Sequence, residues 1–173
     1  MIANDLVDCG AVKFGDFTLT SGKKSRYYVD IKQASTDPGM LAKIAELMGE
    51  NMNGEELIAG VELGAVPLAA ALALETGKPY LIIRKPGRGH GTAKRLEGKF
   101  SPGQRVVLVE DVITTAGSSI EGIKVLRDAG LEVSRVIVVV DREEGGEEAL
   151  KKHDIELISL ATASQLLEIE GGE

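Results

Sequence analysis

Along this chain, short unbroken apolar runs alternate with longer stretches whose apolar residues recur at helical spacing. Leu57-Ile58-Ala59-Gly60-Val61, Tyr80-Leu81-Ile82-Ile83, Arg105 to Val109, Val136 to Val140 and Ile155 to Leu160 read as strands. Between them, Asp37-Pro38 opens a helix with Pro38 at its first position. Leu41, Ile44, Leu47 and Met48 form its apolar stripe, and Asn53-Gly54 stops it. Pro67 starts an Ala/Leu-rich helix that ends at Gly77, and a further helix runs from about Ser119 to Ala129 before Gly130. Thr162 and Gln165 match a capping box for a C-terminal helix. Before this alternation the chain reads as a short helix, a tight turn at Phe14-Gly15-Asp16-Phe17, and a strand over Tyr27 to Ile31.

The strand runs are continuously apolar, so each strand is expected to be covered on both faces. That pattern predicts an α/β fold with a central, mostly parallel sheet flanked by helices. Ligands then bind where the strands end, in the loops after Val61, Ile83, Val109 and Val140.

Composition narrows the class. At 173 residues, 43% of them hydrophobic, the chain is expected to form a single domain over 1–173. Aromatics are 3% of residues and Trp is absent, so Val, Ile, Leu and Ala must build the core. The net charge of −7 argues against nucleic acid as a partner. A lone cysteine, Cys9, excludes an internal disulfide and fits a reducing cytoplasm. No run approaches the ~20 apolar residues that span a bilayer, and no basic-then-apolar leader is expected at the start.

The richest chemistry follows the run Val106 to Val109. Glu110 and Asp111 come next, where carboxylates can accept hydrogen bonds from a vicinal diol. Past Val112 and Ile113, the residues Thr114, Thr115, Ala116, Gly117 and Ser118 offer successive N–H groups and hydroxyls. Ser118 to Glu121 fits a capping box, and a helix start favours a phosphomonoester. The plain alternative is a strand that ends in solvated acids before a capped helix. Neither a nucleotide phosphate-binding loop nor a dinucleotide fingerprint is present. Gly15 to Lys24 has the wrong spacing for the first, and Gly87-Arg88-Gly89-His90-Gly91 opens into a polar basic run rather than a helix.

A concentrated positive segment, Arg84-Lys85-Pro86-Gly87-Arg88-Gly89-His90-Gly91-Thr92-Ala93-Lys94-Arg95, stands out in an acidic protein. It reads as part of a long mobile loop at about 85–103, suited to closing over a polyphosphate, or as a solvated flexible loop. Within it His90 is a candidate proton donor or phosphate ligand.

These segments together resemble the type I phosphoribosyltransferases. Glu110 to Ser118 resembles their motif for phosphoribosyl pyrophosphate (PRPP). Phe14 to Tyr28 resembles the N-terminal hood signature of the orotate phosphoribosyltransferases, Arg84-Lys85 with His90-Gly91 their catalytic loop, and Asp141 to Gly146 their base-contacting loop. The short length resembles archaeal members. The resemblance implies the type I fold, with residues 1–33 as a small hood and 34–173 as the core. It also implies transfer of the ribose 5-phosphate group of PRPP to orotate, giving orotidine 5′-monophosphate and pyrophosphate in pyrimidine biosynthesis.

On the same resemblance, Glu110 and Asp111 hold the ribose hydroxyls and favour a cationic transition state, and Thr114 to Ser118 hold the 5′-phosphate. Val112 and Ile113 complete the PRPP segment. Thr114 also faces orotate, and Arg142 contacts the orotate ring oxygens through its donor fork. Arg84, Lys85, Arg88 and His90 bind the departing pyrophosphate, and Val61 to Ala65 form the loop beside it. Arg88, His90 and Asp111 form the catalytic set. Magnesium, held mainly by PRPP, is the implied cofactor, and a cytoplasmic homodimer sharing loop residues is the implied assembly. The chain departs from the pattern at Arg88 and Thr20, where many and some members respectively carry Lys, and at Ala116, where Gly is usual and a positive φ would be strained. Two other functions stay open: a PRPP-sensing regulator and a purine transferase. Tyr27 and Tyr28 could stack on a base or simply pack, Lys23-Lys24 could extend the positive rim, and His153 reads as exposed.

Overall fold

The structure is a computed structural model that describes residues 1–18, 22, 24–86 and 95–171. Thr20, Lys23, Arg88 and His90 therefore lie outside the described residues.

The chain opens with helix α1 (Ile2–Asp8), followed by strands β1 (Val12–Thr18) and β2 (Lys24–Val29). These strands pair antiparallel as a separate two-stranded sheet. Helices α2 (Ile31–Ser35) and α3 (Pro38–Glu50) lead into β3 (Leu57–Val61), α4 (Ala65–Thr76), β4 (Tyr80–Ile83) and the short β5 (Leu96–Glu97). Then come β6 (Val106–Ile113), α5 (Gly117–Asp128), β7 (Arg135–Asp141), α6 (Gly146–Lys151), β8 (Glu156–Thr162) and α7 (Ala163–Gly171).

The main sheet is six-stranded in the order β5-β4-β3-β6-β7-β8. All its neighbouring pairs are parallel except β4 with β5. The α/β class expected from the apolar runs is therefore the observed one. Alternate residues of each strand feed opposite faces. Val107 and Val109 pack with Leu6, Met48, Leu72 and Leu166, whereas Val106 and Leu108 pack with Ile123, Leu126 and Leu150. Both faces being apolar is why the strands read as continuous runs. No helix among the described residues is long and apolar enough to cross a membrane.

Several boundaries differ from those expected. Phe14 to Phe17 is not a tight turn; it lies within β1, where the pairing register shifts against β2. The strand over Tyr27 ends at Val29, and Ile31 opens α2, capped by the Asp30 carboxylate. Helix α4 begins at Ala65, ahead of Pro67, because proline's missing N–H is harmless anywhere in a first turn. Helix α3 stops at Glu50, before Asn53-Gly54. Helices α2 and α6 are too short to show a clear period and were not anticipated. Within the described part of the 85–103 loop, Leu96 and Glu97 form β5 against β4. The capping boxes split: Thr162 and Gln165 exchange backbone-to-side-chain bonds of 3.0 and 3.3 Å, as expected. Ser118 does not cap α5, whose first residue is Gly117.

Candidate active site

The decisive difference from the sequence reading lies in β6. The strand does not end before the acid pair; it runs through it to Ile113, pairing Glu110, Val112 and Ile113 with Val138, Val140 and Asp141. Strand alternation then sends the two carboxylates different ways. Glu110 is buried, and its Oε1 accepts a 2.9 Å hydrogen bond from the Ser119 hydroxyl. Asp111 is half-buried, and its Oδ1 accepts from the N–H of Val112 at 2.9 Å. Burial raises the Glu110 carboxyl to about 7. The Ser119 bond and the charge of Lys85 oppose that rise, and the neighbouring Asp111 charge adds to it.

Ala116 forms the N-cap of α5 with φ 61 and ψ 16, the left-handed conformation anticipated as strained. That conformation turns the chain sharply, so Ser119 points back at β6 while Ser118 faces outward. An alanine cap has no side chain to satisfy the first N–H groups, which leaves them for an external acceptor. Thr114, Thr115, Gly117 and Ser118 are exposed around this start. Ile113 packs in the core, so its contribution is its carbonyl, which accepts from the N–H of Arg142 at 2.9 Å. Glu121, expected in a capping box, instead pairs with Arg95 at 3.0 Å.

A cavity of about 270 Å³ opens beside the acid pair, lined by Glu110, Asp111 and Ser118, by Val61 to Gly64, and by Lys32 and Lys85. Gly64 allows this closeness, because a Cβ there would overlap the Asp111 carboxylate. Glu62 ties the basic segment down: its Oε1 accepts from the N–H of Lys85 at 2.6 Å, and its Oε2 lies 4.0 Å from Nε of Arg84.

Arg142 sits across the sheet edge on the loop after β7. The two-stranded N-terminal sheet holds it there. Its Nη2 donates to Ser25 Oγ at 3.4 Å, and its Cζ lies 4.9 Å from the centre of the Tyr27 ring. Its Nε is 3.0 Å from Glu144 Oε1, yet without a well-aligned acceptor. The loop is braced by Asp141, which accepts from the N–H of Glu143 at 2.9 Å, and by Glu143, which accepts from Ser164 at 2.6 Å. Gly146 closes the loop against the end of β6, where a Cβ would overlap Ile113 and come within 2.8 Å of the Thr114 carbonyl oxygen. Tyr27 is buried while Tyr28 is 45% exposed, so only the first of the pair packs in the core. His153 is exposed, as expected.

An acid pair, an open helix start and a caged arginine thus converge on one edge of the sheet. The model of the phosphoribosyl transferase domain family matches residues 31–165. The orotate phosphoribosyltransferase of Methanosarcina acetivorans is 56% identical over 162 residues, covering 92% of this chain and 86% of that protein. The chain belongs to the orotate phosphoribosyltransferases. The orotate phosphoribosyltransferase of Pyrococcus abyssi is 52% identical over 170 residues, covering 96% of this chain and 93% of that protein. The crystal structure of the orotate phosphoribosyltransferase from Aeropyrum pernix superposes with a TM-score of 0.91 at 38% identity, covering 100% of this chain and 99% of that one. As an orotate phosphoribosyltransferase, the chain needs neither the regulator nor the purine-transferase reading.

One residue at this site, Lys32, is not singled out from the sequence. Ser119 reads from the sequence as a helix start, and its bond to Glu110 is what the structure adds. Lys32 has no usable signal, since on sequence it is an ordinary lysine just past the strand expected over Tyr27 to Ile31.

Proposed function

We infer that this chain transfers the 5-phosphoribosyl group of PRPP to orotate, releasing pyrophosphate and giving orotidine 5′-monophosphate. The C–O bond between the ribose and the diphosphate breaks with its electron pair leaving on the diphosphate, and a C–N bond forms to an orotate ring nitrogen, which gives up its proton. The observation that carries this reading is the Glu110–Asp111 pair beside the uncapped start of α5, with Arg142 held by Ser25 and Tyr27 on the same edge.

Asp111 faces the cavity and accepts from the ribose hydroxyls, with Glu110 behind it. Their negative charge, partly shielded from water, favours the cationic character that the sugar acquires as the diphosphate departs. The first turn of α5 and the hydroxyls of Thr114, Thr115 and Ser118 take the 5′-phosphate. Arg142 orients orotate, its fork matching planar oxygens. Arg84 and Lys85 stand at the diphosphate end, and Arg88 and His90 of the same basic segment would join them there. Residues 1–33 act as a hood that positions Arg142 over a core of 34–173.

Among the described residues, no cluster of three or more His, Cys, Asp or Glu side chains is arranged for a metal. Magnesium needs only one or two carboxylates beside substrate phosphates, and Asp111, the acid of the pair that faces the cavity, fits that donor set. When bound, the ion would neutralise diphosphate charge. A cytoplasmic homodimer is the assembly this reading expects.

Purified protein is incubated with orotate, PRPP and magnesium while orotate loss is followed, with hypoxanthine and xanthine as controls. PRPP-dependent loss of orotate alone is expected. PRPP binding with no orotate turnover overturns the reading.

A further inference from the structure

The cavity beside the acid pair poses a charge problem. The carboxylates of Glu62 and Asp111 line it, with the buried carboxyl of Glu110 behind them, against two ammonium groups, those of Lys32 and Lys85. The diphosphate of PRPP is a polyanion and needs cations to offset that floor. The loop from Val61 to Ala65 brings a glutamate and no Lys or Arg. Arg84, beside Lys85, already shares its charge with Glu62 at 4.0 Å and Glu97 at 3.8 Å.

Lys32 reaches the cavity from a different direction, the first turn of α2. Buried Ile31 and Ala34 anchor that helix, so the root of the side chain is fixed. Its head is held loosely. Oδ1 of Asp30 accepts both the backbone N–H of Lys32 at 3.2 Å and its ammonium at 3.0 Å. The Lys32 side chain is 64% exposed, and an ion pair this open is weak and easily exchanged. If the ammonium leaves Asp30, the carboxylate keeps its capping bond to the backbone, so α2 is undisturbed. The Asp30 hydrogen bond and charge, and then the charge of Asp111, raise the pKa of Lys32 and keep it cationic.

We propose that Lys32 is a binding residue for the diphosphate of PRPP, exchanging its Asp30 partner for a diphosphate oxygen when substrate fills the cavity. This rests on the reading of the cavity as the PRPP site. It makes α2 a part of that site along with the loops at the strand ends.

The test compares wild type, Lys32→Ala and Lys32→Arg in both reaction directions. Losing a charge-assisted contact in Lys32→Ala should raise KM about tenfold for PRPP and for pyrophosphate in the reverse reaction. KM for orotate should stay within about twofold, and Lys32→Arg should recover most of the loss. Calorimetry with inorganic pyrophosphate should show the same weakening, while ribose 5-phosphate binds both proteins alike. Unchanged PRPP and pyrophosphate constants in Lys32→Ala overturn the proposal, as does an equal loss for ribose 5-phosphate. Wild-type protein with no PRPP-dependent turnover overturns instead the site reading on which the proposal rests.

Discussion

Ser119 donates a 2.9 Å hydrogen bond to Oε1 of Glu110, and both side chains are buried. One residue belongs to the strand that carries the acid pair and the other to the helix whose start Ala116 leaves without a side-chain cap. A single hydroxyl therefore couples the acid pair of β6 to the first turn of α5. It also supports a carboxyl that burial has raised to about 7. In Ser119→Ala the carboxylate loses its donor, a loss of roughly 1–3 kcal/mol when the group is charged. The variant should melt well below wild type at pH 8 and close to it at pH 5. The acid limb of its kcat/KM profile for PRPP should move to higher pH, because the lost bond had favoured the charged form. An unmoved profile would reduce Ser119 to packing.

Glu110 itself predicts a pH dependence of stability. Its folded pKa of about 7 stands above the ordinary 4.5. Below 4.5 both folded and unfolded chains hold the proton, so the buried group costs nothing. As pH rises toward 7 the unfolded chain ionises first, and stability falls by up to roughly 3 kcal/mol. Glu110→Gln keeps an acceptor for Ser119 but carries no charge. It should melt higher than wild type above pH 7, with the difference closing near pH 4.5, while its KM for PRPP rises. Thermal melts across that range, beside PRPP kinetics, check both halves.

Gly64 separates function from stability in the opposite sense. A methyl group there overlaps the Asp111 carboxylate, the end of a side chain that can swing away. Gly64→Ala should therefore displace Asp111 rather than unfold the loop. Its kcat/KM for PRPP should fall at least tenfold, with a stability loss under about 1 kcal/mol. A large drop in melting temperature with normal kinetics would contradict this.

Ala116 occupies a conformation that glycine takes freely, yet its methyl is buried in the core. Ala116→Gly relieves backbone strain of roughly 1 kcal/mol but gives up a buried methyl worth about as much. Denaturant titration should place it within about 1 kcal/mol of wild type. The β-branched Ala116→Val should cost more than about 2 kcal/mol and weaken PRPP binding, since strain and crowding then add.

Arg142 is held by residues more than a hundred positions away, so its geometry should matter as much as its charge. Arg142→Lys keeps the charge but loses the fork. Its KM for orotate should rise roughly tenfold or more while KM for PRPP stays near wild type. Unchanged orotate kinetics would remove Arg142 from the base site.

The alternation of strands and helices, the parallel sheet and the edge where its loops gather are legible in the order of residues alone. Those features depend on local periodicity and on strands apolar on both faces, both visible in the order of residues. The sequence also displays the acid pair, the hydroxyl-rich turn and Arg142, because their chemistry is unusual wherever they fall. What those groups experience depends on how the chain packs. The extra length of β6 buried Glu110 and left Asp111 facing the cavity, and the turn at Ala116 aimed Ser119 inward. Arg142 met Ser25 and Tyr27 only when the N-terminal sheet folded over the edge, and Lys32 met Asp111 only across a cavity. Burial, pKa and partnership arise from groups that are distant in the chain and close in space. No local pattern encodes them.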